Sequence, residues 1–295
     1  MKKMVMAICV LLLAVGGLQP TLAKADTAID EKLGLPIVVL GANLTDAEKE
    51  SVKESLKVEK DTEVEEITVD GNDLTKYIKD GNSQARMYSS AKITRLDKGK
   101  GLVIKIVTPD NITQVTNSMY ATAMLTAGIE DAVVEVASPK PVTGHSALVG
   151  IYKAYEVSGE TLDTERTDVA NDELNLATKF AKDSGIDEDK VAELLTEIKK
   201  AIADNKPNTK EEVEKIVNEQ LTKMNINLSE ADRQMLIELM DRIRGLNIDF
   251  GKLSDQLSEM ATTIKEKFGE IDPSFWEKVK QFFENLIDSI KAWFK

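Results

Sequence analysis

The feature that most constrains the fold of this chain is a change in residue pattern near position 160. Before it, short β-branched runs alternate with helical patterns, and after it no convincing strand is present. All five Tyr lie before this position, whereas every Phe and both Trp lie after it. Such a shift is typical of a domain boundary, and the Ser-Gly-Glu-Thr segment at 158–161 is a suitable joint. We therefore predict an α+β domain over residues 26–160, followed by an all-α helical region over residues 161–270.

The first region has the pattern of a mixed sheet with helices packed on it. The element order predicted from the residue pattern is βαβαββαβα, which is typical of an α+β layer. Thr45 and Glu48 form a capping box that opens a helix ending near residue 56. Asn111 is predicted to cap a helix that ends near residue 127. The predicted strands cover residues 37–40, 64–69, 88–96, 102–107 and 132–136.

Two further expectations concern how these elements connect. The segment at 97–101 is Asp-Lys-Gly-Lys-Gly, which predicts a hairpin between the third and fourth strands. After residue 160, the apolar residues follow a 3.6-residue spacing between turn-rich segments, so each helix has one buried stripe. These turns are expected at 183–185, 204–209, 225–229 and 245–251. Their frequency favours a helical bundle or an array of α-hairpins.

The first 25 residues have the pattern of a signal peptide. Lys2 and Lys3 precede an apolar stretch at residues 4–18, and Ala23 and Ala25 stand at positions −3 and −1 of an A-x-A cleavage site. Cleavage would remove three Lys and no acid, so the mature chain would carry 35 basic and 51 acidic residues, a net charge of −16. The alternative is an uncleaved anchor, although a membrane span needs roughly 20 apolar residues. We therefore expect a secreted, extracellular protein.

Composition excludes several classes of function. The full chain has a net charge of −13, which argues against a nucleic-acid partner because phosphate binding requires Lys and Arg. One Cys and one His exclude a disulfide scaffold and Cys/His zinc sites. Neither a phosphate-binding Walker loop nor a dinucleotide-binding glycine motif is present. We therefore predict neither a cofactor nor a metal.

The segment at 271–295 is predicted to form an amphipathic, aromatic helix. It contains both Trp and four of the seven Phe, and its four Lys balance four acids. Its apolar positions follow helical spacing without a miss, and such a face needs a covering surface. Three interpretations remain open: docking onto the helical region, an interfacial contact with a membrane, and a surface for a protein partner or a second copy. The candidate residues are Phe275, Trp276, Val279, Phe282, Phe283, Leu286, Ile287, Ile290, Trp293 and Phe294.

No catalytic residue can be named from the sequence. A nucleophile elbow around Ser146 would require Gly where Leu148 stands. The Ser-x-x-Lys spacing of Ser89 and Lys92 lies in a predicted strand, whereas penicillin-binding enzymes place it at the start of a helix and have partner motifs that are absent here. Free N–H groups at 144–146 are suited to an anion, as they are at any helix start.

Two segments carry a resemblance to a known family. They are Arg-Met-Tyr-Ser-Ser-Ala-Lys-Ile-Thr at 86–94 and Pro-Val-Thr-Gly-His-Ser-Ala-Leu-Val-Gly-Ile at 141–151. With them, the chain resembles the YpuA-like family of exported Gram-positive proteins, a domain of unknown function. The resemblance is strongest over residues 35–157 and implies a location outside the membrane of a Firmicute, near the wall. It assigns no chemistry, so the candidate motif residues remain without roles: Arg86, Tyr88, Ser89, Thr143, Gly144, His145 and Ser146.

From these observations we predict a cell-envelope-associated protein that is a non-enzymatic binding or structural module. Its partner would be an envelope component or another protein. The alternative is an envelope-processing enzyme, a hydrolase that uses carboxylates. Two carboxylates directed into a pocket between residues 70 and 156 would favour the enzyme.

Overall fold

The computed structural model describes residues 33–246 and residue 248. This part contains a five-stranded mixed sheet with helices, followed by a run of helices, and it confirms the predicted fold class and element order. The strands are β1 Ile37–Gly41, β2 Glu65–Val69, β3 Ser90–Arg95, β4 Leu102–Ile106 and β5 Ala132–Ala137. The helices are α1 Asp46–Ser55, α2 Gly71–Tyr77, α3 Asn117–Ala127, α4 His145–Val157, α5 Thr164–Ser184, α6 Glu188–Asn205, α7 Lys210–Lys223 and α8 Glu230–Gly245. A 3₁₀ turn covers Pro109–Asn111.

The sheet order is β2-β1-β3-β5-β4. β1 and β2 are parallel, as are β4 and β5, and β3 joins the two pairs by running antiparallel to both β1 and β5. The predicted hairpin between β3 and β4 is therefore wrong. β5 lies between them, and its position between two strands helps to bury all six of its residues.

The sheet has two unequal faces. α1 covers one face, where Val52 and Leu56 pack on Val38 and Leu40 of β1. α3 and α4 cover the other face, which includes Val39. Residues in successive positions of a strand point to opposite faces, so β1 contributes side chains to the apolar core on each face of the sheet.

Local signals place most helix boundaries. Thr45 accepts from the N–H of Glu48 and completes the predicted capping box of α1. The predicted helix start at Asn111 is wrong: α3 begins after Thr116, which accepts from the N–H of Met119. The side-chain amide of Asn111 instead donates to the carbonyl of Ser138, at 2.8 Å. The turns expected at 183–185, 204–209 and 225–229 occur between the helices from α5 to α8, whereas the turn expected at 245–251 lies largely outside the described residues.

The helices after residue 160 form a bundle in which α5 and α7 each contact α6 and α8. α5 and α6 also contact α3 of the first region. One apolar core therefore extends from Ile37 in β1 to Ile243 in α8. The two-domain boundary near residue 160 stays a prediction about folding units, while the packing of the two regions is continuous.

A buried polar network joins the two regions. Lys199 of α6 and Glu173 of α5 form an ion pair at 2.5 Å, and neither side chain is more than 1% exposed to solvent. Lys199 also donates to the carbonyl of Thr122 and to the hydroxyl of Thr126, both in α3. Thr126 donates to the second carboxylate oxygen of Glu173 at 2.5 Å. We call these four residues the buried network.

Two predicted segments lie outside the described residues. They are the signal peptide at 1–25 and the aromatic helix at 271–295, which includes all ten of its candidate surface residues. Within the described residues, no helix combines the length and apolar character that crossing a membrane requires.

Candidate binding cleft

The two sequence motifs meet at one cleft. The chain entering β3 and the chain entering α4 lie side by side, because the N–H of Ser89 donates to the hydroxyl of Ser146 at 3.3 Å. Residues of α2 and α5 complete its lining, and its volume is about 370 Å³. The cleft is lined by Leu74, Ala85, Arg86, Met87, Tyr88, Val142, Thr143, His145, Ser146 and Asn171. Five of the seven predicted motif residues therefore line it, and the other two, Ser89 and Gly144, support it.

Gly144 fixes the start of α4. Its φ of +105° is a left-handed conformation that favours glycine. Its carbonyl accepts from the hydroxyl of Tyr120 at 2.6 Å, and a Cβ there would lie 2.8 Å from that hydroxyl and from a methyl of Ile112. No side chain caps α4, so the N–H groups of His145 and Ser146 lack an intrahelical acceptor at the positive end of the helix dipole.

His145 holds α4 against α5 and is a neutral side chain. Its Nε2 lies 3.2 Å from the hydroxyl of Thr178. Thr178 donates its own proton to the carbonyls of Leu174 and Asn175, so Nε2 carries the hydrogen and donates to Thr178. Burial lowers the pKa of His145. The imidazole is thus uncharged at neutral pH and adds no positive charge to the cleft.

The geometry does not assemble a nucleophile. Ser146 accepts from Ser89, while the Nε2 of His145 is directed to Thr178, so these two motif residues do not form a Ser–His pair. Lys92 pairs with Glu135 at 2.5 Å. Positions 89 and 92 are three residues apart on extended chain and point to opposite faces. The Ser-x-x-Lys match is therefore coincidental. The Ser89 hydroxyl is fully buried and makes no hydrogen bond within the described part of the chain.

Asn171 is a cleft residue that sequence reasoning missed. It lies on α5, is only 9% exposed, and its side-chain amide makes no hydrogen bond to any residue in the described range. It occupies the buried stripe of α5 together with Thr167, Leu174 and Thr178. A polar residue at a buried position of the helix is the sequence signal that identifies it.

Arg86 is the cation of the cleft. Its side chain is exposed, and within residues 33–246 no hydrogen bond or ion pair engages its guanidinium group. Lys140 lies nearby, over the ring of Tyr88 at 4.2 Å, but it pairs with Glu48 at 2.7 Å. Hydrogen bonds from Lys140 and Thr45 lower the pKa of Glu48 to about 2. The charge of Lys140 is therefore matched, whereas the charge of Arg86 is not.

The lining is rich in hydrogen-bond donors and contains no carboxylate. The donors are the guanidinium of Arg86, the amide of Asn171, the hydroxyl of Thr143 and the N–H groups at the start of α4. A donor-rich, positively charged site in a chain of net charge −13 is suited to an anionic group. In the described part of the chain, no cluster of three His, Cys, Asp or Glu side chains is arranged to hold a metal ion.

Comparisons with known proteins agree on a family without an assigned function. A family model described as "Protein of unknown function (DUF1002)" matches residues 40–260. The chain is 34% identical over 298 residues to "Uncharacterized protein YpuA" of Bacillus subtilis (strain 168), a match that covers 98% of this chain and 97% of the relative. No solved structure matches the chain.

Proposed function

The chain belongs to the DUF1002 family, and we propose that this member is an exported, cell-envelope-associated protein that binds a ligand without transforming it. Export is supported by the signal-peptide pattern at 1–25. Binding is supported by the cleft, which the two sequence motifs jointly form. The envelope is the proposed place of action because a secreted protein of a Gram-positive cell meets the wall first.

A single observation carries the preference for binding over carboxylate-based hydrolysis: the cleft presents donors but no carboxylate. Carboxylate-based hydrolysis requires two acidic side chains directed at the scissile bond. One acid of α2 and one acid of α4 are already engaged. Asp73 pairs with Lys153 at 2.8 Å, and Glu156 accepts from Tyr77 at 2.7 Å. These two acids therefore serve the fold, and the alternative of a carboxylate hydrolase has no supporting geometry in this cleft.

Cell fractionation and wall co-sedimentation test this proposal. The expected result is a processed protein, shortened by 25 residues, that fractionates outside the membrane and sediments with purified wall. The same incubation should release no soluble wall product. Retention in the cytoplasm would contradict export, and product release would favour the hydrolase.

The aromatic segment at 271–295 is proposed as a second contact surface of the same protein. A chain that ends at residue 272 separates its three interpretations. Unchanged solubility, stability and fractionation would exclude a membrane or partner role. A lower free energy of unfolding would show that the segment docks internally, while loss of membrane association or of self-association would identify the corresponding contact.

A further inference from the structure

We propose that the cleft binds the terminal carboxylate of a short peptide that ends in small apolar residues. This inference rests on the proposed function, because it assumes that the cleft is a binding site, and it specifies the class of ligand. Two independent features meet there: the uncapped start of a 13-residue helix and the unpartnered amide of Asn171, a residue that is nine-tenths buried and lines the same cavity.

The unpartnered amide of Asn171 is the feature that points to a ligand. The residue is only 9% exposed, but its amide keeps contact with solvent, so a ligand in the cleft can reach it. Asn171 of α5 lines the same cleft as His145 and Ser146 at the start of α4, and it also borders a neighbouring groove that contains Asp168 and Asp172. A ligand with two acceptor oxygens would satisfy donors from both walls at once.

The charge of the site favours a monoanion. Arg86 supplies one positive charge and the helix start about half of another, while His145 is neutral because of its burial. No other cationic side chain lines the cleft. The planar fork of a guanidinium group pairs with a carboxylate through two parallel hydrogen bonds. A phosphate monoester carries up to two negative charges and would leave part of its charge unpaired.

One part of the lining is apolar and accommodates small side chains. It is formed by Leu74, Ala85, Met87 and Val142, with the ring of Tyr88 beside them. A volume of about 370 Å³ is near the lower end for ligand cavities. Methyl-sized side chains next to a terminal carboxylate would cover this wall. A sugar phosphate or a polyol phosphate would instead place its hydroxyl groups against these apolar side chains.

Titration of the purified full chain with the dipeptide Ala-Ala, its C-terminal amide and inorganic phosphate tests the inference. In NMR spectra, Ala-Ala should shift backbone signals at residues 85–88 and 142–146. The amide should bind at least about tenfold more weakly, because it lacks the charge that Arg86 recognises. Phosphate binding as tight as that of Ala-Ala, equal binding of the amide, or shifts confined to other residues would overturn the inference.

Variants locate the interaction. Arg86→Gln removes the cation from an exposed position and should weaken Ala-Ala binding at least about tenfold. Asn171→Asp keeps the shape of the side chain but opposes a carboxylate, so it should weaken binding as well. Lys100→Gln is the matched control, since it removes one charge from the exposed loop at the far end of β3 and should leave binding unchanged. Equal affinities in Arg86→Gln and Lys100→Gln would overturn the inference.

Wall co-sedimentation of the same variants separates this inference from the proposed function. Wall binding by the parent chain, combined with an Ala-Ala affinity that Arg86→Gln leaves unchanged, would overturn the peptide-carboxylate inference and leave the envelope-binding proposal standing. Binding of Ala-Ala without any wall binding would support the inference and contradict the envelope proposal.

Discussion

The buried network and the binding cleft both place polar side chains of α5 against the first region, yet they treat those groups in opposite ways. In the buried network, Lys199, Glu173 and Thr126 satisfy one another at distances of 2.5–3.2 Å. In the cleft, Asn171 and Arg86 have no partner in the described residues. Complete pairing stabilises the packing of α3, α5 and α6, whereas donors without acceptors are available for a ligand. The comparison distinguishes polar residues that maintain the fold from those available for binding.

The largest expected effect follows from breaking the buried network. Lys199→Met leaves the carboxylate of Glu173 buried and unpaired, which should lower the free energy of unfolding by about 3–5 kcal/mol. Adding Glu173→Met should recover most of this loss, because an apolar pair of similar volume replaces both charges. Urea unfolding measures both variants. Lys210→Met is the control, since it breaks an exposed pair with Glu238 and should change stability by less than about 1 kcal/mol. A small loss of unfolding free energy in Lys199→Met would show that the buried network contributes little to the stability of the fold.

Gly144→Ala should have the next largest effect, because it acts on the backbone that shapes the cleft. A left-handed conformation costs a residue with a side chain about 1–2 kcal/mol, and the contacts of the new Cβ with Tyr120 and Ile112 would add to that cost. Gly99→Ala is the control: its φ is +82°, but nothing lies within 4 Å of the added Cβ. Thermal unfolding should show a greater loss in Gly144→Ala. Equal losses would mean that packing around Gly144 contributes nothing.

A smaller effect should come from pH, through His145. Burial places its folded pKa below the value of 6.5 for an exposed histidine. The unfolded chain therefore binds the proton more readily. The stability contributed by the neutral ring is complete above pH 6.5 and is lost as the pH falls below it. In urea titrations between about pH 7.5 and about pH 5.5, the midpoint of His145→Gln should fall less than that of the parent chain. Parallel decreases would show that His145 does not titrate in this range.

The smallest effect on stability is expected in the cleft itself. Asn171→Leu should leave the free energy of unfolding within about 0.5 kcal/mol of the parent or raise it, because no hydrogen bond is lost. Asn111→Leu is the matched control, since its amide donates to Ser138 at 2.8 Å, and it should cost about 1 kcal/mol. Chemical denaturation compares the two variants. A large loss in Asn171→Leu would show that Asn171 supports the fold.

Sequence reasoning succeeded where the signal is local. The capping box of Thr45 and Glu48 involves neighbouring residues, and so does the helix start at Gly144, so both could be identified from sequence. The hairpin prediction failed because the pairing of β3 depends on β5, which lies about 40 residues further along the chain. The loop residues between β3 and β4 contain no information about that distant competitor.

The site could be predicted only in part, for the same reason. The residues at 86–89 and 143–146 form contiguous segments, and the sequence identified them as candidates without showing that they share a cleft. Asn171 lies in the helical region, and its position opposite α4 results from tertiary packing of α5. The pairing of Glu173 with Lys199 likewise joins two helices. Polar residues at buried positions of a helix were the available signal in both cases.

The position of β3 between two parallel strand pairs has a consequence for chain continuity. β1, β2 and β3 come from one stretch of sequence, β4 and β5 from the next, and the exposed loop at 97–100 is the covalent connection between them. The ladder between β3 and β5, six residue pairs long, joins the two halves of the sheet without that loop. Fragments divided at this loop should therefore reassemble when co-expressed. One fragment contains β3 and the other contains β5, and each of these strands is the pairing partner of the other.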